Sequence, residues 1–81
     1  MKKELTNIMS LAIEANANEN YNVFIDLSGH VKLFNIYITT ENYHNIIFYE
    51  KFYYDGLLNT EEELESKLKE IRKQLMKIIK L

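Results

Sequence analysis

Apolar and polar residues alternate from Tyr21 to Ile38, and the alternation folds back on itself about Gly29-His30. Before that point the odd positions Tyr21, Val23, Ile25 and Leu27 are apolar; after it the even positions Phe34, Ile36 and Ile38 are. A period of two marks strands with one buried face, and the change of parity across the turn is that of a hairpin. With Gly29 and His30 as a two-residue loop, Ile25 would face Phe34, Val23 would face Ile36 and Tyr21 would face Ile38. Glycine in the first loop position suits a type II′ turn. A third strand is predicted from Ile46 to Tyr54, joined through the polar segment Thr40-Glu41-Asn42-Tyr43-His44-Asn45 and closed by the turn dipeptide Asp55-Gly56. Both of its faces are rich, with Ile46, Phe48 and Phe52 on one and Ile47, Tyr49 and Tyr53 on the other.

At both ends of the chain the period changes to that of a helix. Leu5, Ile8, Met9, Ala12 and Ile13 predict an amphipathic helix over about residues 3 to 16. The asparagine-rich run Asn16-Ala17-Asn18-Glu19-Asn20 ends it, since asparagine tolerates the left-handed backbone common just past helix ends. Thr60 and Glu63 stand in capping-box spacing, Glu61 and Glu62 fill the first turn, and Lys69, Arg72, Lys73, Lys77 and Lys80 come late, all in accord with a helix macrodipole. The apolar seam Leu64, Leu68, Ile71, Leu75 and Ile78 is spaced 4-3-4-3, as in a short coiled coil or a helix packed on a sheet. The expected architecture is a single α+β domain over residues 1–81, in α-β-β-β-α order, with a three-stranded antiparallel meander and both helices on one face.

The hairpin pattern assigns the faces. Tyr21, Val23, Ile25, Leu27, Phe34, Ile36 and Ile38 belong to the helix-covered side, and Phe24, Asp26, Val31, Leu33, Asn35 and Tyr37 to the other. Together with Tyr49 and Tyr53, the side chains of Phe24, Leu33 and Tyr37 form a candidate protein interface, because aromatic residues carry much of the energy of such surfaces. Strand propensity and cross-strand pairing are the competing reason for aromatics there. A second copy of the chain is one candidate partner, and Met76, Ile79 and Leu81 widen the apolar stripe of the last helix toward self-association.

Composition narrows the chemistry. A net charge of -2 gives no strong field, so neither a broadly basic nucleic-acid binder nor an acidic DNA mimic is indicated. The absence of cysteine removes disulfides and thiolate metal sites and suits a reducing cytoplasm. No apolar run has the length of a membrane span, and Glu4, Thr6, Asn7 and Ser10 interrupt any signal-like segment. His30 and His44, with Asp26, Glu50 or Asp55 as companions, lack any metal-ligand spacing, and Ser28 near His30 is no triad. No cofactor, metal or catalytic residue is therefore expected. The basic half of the last helix alternates with the apolar seam, which argues against nucleic-acid contact.

The string Tyr21-Asn22-Val23-Phe24-Ile25-Asp26-Leu27-Ser28-Gly29-His30-Val31, continuing to Phe34-Asn35-Ile36-Tyr37-Ile38, resembles a pattern of small phage proteins from low-GC Gram-positive hosts. The helix, meander, helix order is also similar to some phage anti-CRISPR inhibitors of type II effector nucleases, although this chain is far less acidic than those that mimic DNA. The resemblance implies a non-enzymatic inhibitor of a host defence system or host enzyme, acting in the host cytoplasm. A self-associating structural or regulatory protein is the alternative and a nucleic-acid binder the third reading; genomic neighbourhood discriminates them, anti-defence genes favouring the inhibitor and morphogenesis genes the structural rival.

Overall fold

The computed structural model describes residues 2–30, 32–41, 45–54 and 59–81. The order is α1 (Lys2–Ala15), β1 (Tyr21–Ser28), β2 (Leu33–Thr40), β3 (Ile46–Tyr53) and α2 (Glu61–Ile79). The strands form one antiparallel sheet in the order β1-β2-β3, as the meander requires. Val31, His44 and the Asp55-Gly56 turn lie outside the described residues, as do Leu57 and Leu58.

Both helices cover the same face. The buried residues of α2 are Leu64, Leu68, Ile71, Leu75 and Ile78, so the whole 4-3-4-3 seam is spent inside the molecule. They meet Leu5, Ile8, Ala12 and Ala15 of α1 and Val23, Phe34, Ile36, Ile38 and Phe52 of the sheet in one core. The alanines let α1 approach closely. Ile13, expected on the buried stripe, is 75% exposed, because the stripe follows Leu5, Ile8, Ala12 and Ala15 instead. Phe34 and Phe52 stack with ring centroids 5.1 Å apart, pinning β2 to β3 at the core. Each such side chain contributes roughly 1.5 to 3 kcal/mol on burial.

The hairpin register differs from the expected one by two residues. Ile25 pairs with Ile36, Val23 with Ile38 and Tyr21 with Thr40. The paired strands part at Ser28 and resume at Leu33, so the chain turns between these two residues and not over Gly29-His30 alone. The left-handed residue is Lys32, at φ 56°, and Gly29 is outside that region, so the type II′ turn on Gly29-His30 is not formed. Tyr54 N–H donates to the Lys32 carbonyl at 2.8 Å, which ties the turn to the end of β3 and fixes the Lys32 peptide. A shift of two leaves parity unchanged, so the faces are as expected. Leu27 belongs to the covered face but is 46% exposed, because it lies at the turn end beyond the helices' cover. α1 ends without a left-handed residue: Ala17 N–H bonds Glu14 and Asn18 N–H bonds Ala15, tightening the last turn.

The third strand is resolved as well. Phe48 and Phe52 face the core opposite Ile38 and Phe34, while Tyr49 and Tyr53 stand opposite Tyr37 and Leu33 on the other side. Pairing slips by one residue between Ile38 and Thr39. Ile46, grouped by alternation with Phe48 and Phe52, lies beyond this irregularity and is exposed.

Candidate functional site

The face away from the helices gathers all five expected interface residues. Cross-strand pairing arranges them in rows: Phe24, Tyr37 and Tyr49 in one, and Ser28, Leu33 and Tyr53 in another. Between these rows run Asp26, Asn35 and Lys51. Phe24 and Tyr37 stack at 4.8 Å between centroids with 14° between planes. The Tyr49 hydroxyl donates to Asn35 Oδ1 at 3.3 Å, although the residue remains 53% exposed. Phe24, Leu33, Tyr37 and Tyr53 are each half-buried, so this is a flat aromatic surface with polar groups at its centre.

The edges of the sheet are closed by side chains. On β1, Val23 N–H donates to Asn16 Oδ1 at 2.8 Å and Asn16 Nδ2 donates to the Val23 carbonyl at 3.1 Å. One amide thus takes the place of a neighbouring strand. On β3, Lys51 N–H donates to Glu50 Oε1, Lys67 Nζ donates to the Lys51 carbonyl at 2.9 Å, and Tyr53 N–H donates to Asn59 Oδ1 at 3.1 Å. The Lys67 ammonium also pairs with Glu50 at 3.2 Å. A partner strand added at either position would have to displace these bonds. The plugs from Asn16, Asn59 and Lys67 are not visible in the sequence pattern, because each reaches a strand from outside it. Only Asn16, a polar residue just past a helix end, carried any local signal, and that signal reads as a cap.

Among the described residues, those weighed for chemistry do not converge. His30 is exposed in the connection between β1 and β2, Asp26 is on the open face, and Glu50 is engaged by Lys67. Among the described residues no three His, Cys, Asp or Glu side chains gather as a metal would need. An open cleft of about 710 Å³ lies at the far end of α2, between Glu14, Asn18, Glu19, Tyr21, Ile78 and Leu81. Its lining mixes the Glu14 and Glu19 carboxylates, the Asn18 and Asn20 amides and Tyr21 with apolar groups of α2. No described helix is long and apolar enough to cross a membrane. Lys69, Lys73, Lys77 and Lys80 are exposed along α2 and separate from the aromatic face. No protein-family model matches the chain, and comparison with curated proteins and with solved structures found no match.

Proposed function

We propose that this chain is a non-enzymatic protein-interaction module whose working surface is the open face of its sheet. The observation that carries the reading is the gathering of Phe24, Leu33, Tyr37, Tyr49 and Tyr53 on one uncovered side. Apolar aromatic area left facing water marks binding surfaces. The plugged edges favour a partner that reads side chains over one that adds a strand. The resemblance to small phage proteins supplies the setting: a stoichiometric inhibitor of a host defence system or host enzyme, in the host cytoplasm.

Replacing Phe24 and Tyr37 together by serine tests this. Stacking adds about 0.5 to 1.5 kcal/mol beyond the partial burial of the two rings, and neither belongs to the core, where truncating a ring costs about 3 to 5, so the variant should still melt cooperatively. We expect wild-type protein to restore phage plating on a host defended by a type II CRISPR system and the variant to lose that effect. We also expect the variant to lose any self-association seen by light scattering. If plating and association both survive the substitution, the interface lies elsewhere, with the exposed Met76 and Leu81 end of α2 next in line.

A further inference from the structure

One row of the open face is charged. Asp26 on β1, Asn35 on β2 and Lys51 on β3 are cross-strand neighbours, with the aromatic rows on either side. Two strand spacings, about 10 Å, separate the two charges. Both residues are exposed, and neither is ion-paired with another described residue. A foreign surface docking here must bring a base to Asp26 and an acid to Lys51 at that span, or desolvate both without compensation.

A second copy supplies both groups by symmetry. Two sheets stacked face to face over Asn35 can be related by a two-fold axis running across the strands or by one running along β2. The first places Asp26 on Asp26 and Lys51 on Lys51. The second places Asp26 on Lys51 and Lys51 on Asp26, with Asn35 on Asn35, Tyr37 on Tyr37 and Phe24 on Tyr49. Asparagine carries both a donor and an acceptor and so complements itself, and facing aromatic rings find offset or edge-on contacts.

We propose that the open face is an isologous homodimer interface whose two-fold axis runs along β2, so that Asp26 and Lys51 pair twice across it. This rests on reading the open face as a protein interface and names its occupant. The two sheets stack with their strands within about 30°, as twisted sheets do. A footprint of roughly 14 by 26 Å per copy, on the order of 700 Å² for the pair, is smaller than stable interfaces bury, so the dimer is weak and forms toward the millimolar end of concentration. A host target using this face has to displace the second copy, and the two are alternative occupancies of one surface.

The test uses Asp26→Lys and Lys51→Asp in the whole chain, followed by sedimentation equilibrium over micromolar to millimolar concentration. Each single reversal turns both symmetry-related pairs repulsive and should weaken dimerisation roughly tenfold or more. An equimolar mixture of the two variants should form a heterodimer at wild-type affinity, because every contact is again between unlike charges. Asp26→Asn should weaken the dimer less and blunt its salt dependence. Rescue on mixing is intermolecular and cannot arise from repair within one chain. A chain that stays monomeric, or a dimer that ignores the reversals or is not rescued by mixing, overturns the proposal. If Phe24→Ser with Tyr37→Ser abolishes a dimer that the reversals leave intact, only this pairing fails and the face remains an interface. If neither set of changes matters, both readings fail.

Discussion

Lys32 holds the one left-handed backbone conformation among the described non-glycine residues, while Gly29 has no need of its own freedom. A side chain with a Cβ is disfavoured there by about 1 to 2 kcal/mol. Lys32→Gly should therefore raise stability by about 0.5 to 1 kcal/mol, and Lys32→Val should lower it, as read by urea denaturation. At Gly29 an added Cβ meets nothing within 4 Å. Gly29→Ala should be neutral or stabilising, since it also restricts the unfolded chain. The sequence offers a sound reason for placing the turn on its glycine, and that reason loses to core packing. Four-residue spacing lets Leu27 face Phe34 and Ile25 face Ile36, while the Lys32 carbonyl gains the Tyr54 bond. Face membership is legible because it depends on parity alone; pairing is not, because it depends on where the loop closes.

At the scale of elements, the start of α2 is the most legible feature. Thr60 Oγ1 accepts from Glu63 N–H at 3.1 Å and donates to Glu63 Oε1 at 3.2 Å, while Asn59 Nδ2 reaches Glu63 Oε2 at 3.3 Å. These bonds, from Asn59 first and then from Thr60, hold the Glu63 carboxyl below its ordinary value of 4.5. A depressed carboxyl stabilises the fold above its unfolded pKa, and that contribution is lost as pH falls through the lower folded value. Thr60→Ala should cost about 1 kcal/mol at neutral pH through the lost cap. It should also move Glu63 back toward 4.5 in an NMR titration, and the stability gap to wild type should narrow in acid. The seam of α2 was equally readable, since five apolar residues at 4-3-4-3 leave one face to bury. The orientation of β3 was not. Both of its faces are apolar and aromatic, so only the partners of β2 decide it: Phe34 takes Phe52 and leaves Tyr53 to Leu33. For the candidate site, the aromatic side was legible in the alternation, whereas the edge plugs depend on contacts between elements that no local pattern encodes.

As a whole molecule, the protein is a two-layer plate with helices on one side and a patterned aromatic surface on the other. On its β1 edge Asn16 stands where a further strand would pair. Removing that amide in Asn16→Ala leaves the Val23 N–H and carbonyl without their partner and should cost about 1 to 3 kcal/mol in a thermal or urea melt. It also uncovers part of a strand carrying Val23, Phe24 and Ile25, a composition prone to cross-β stacking. We expect the variant to bind thioflavin T after a shorter lag than wild type on prolonged warming, with seeds of the variant recruiting further copies. An unchanged lag would mean that the edge is not where fibrils start. On that expectation one planar amide, spent outside any helix or strand, sets how long a crowded solution stays as discrete particles before it turns to ribbons.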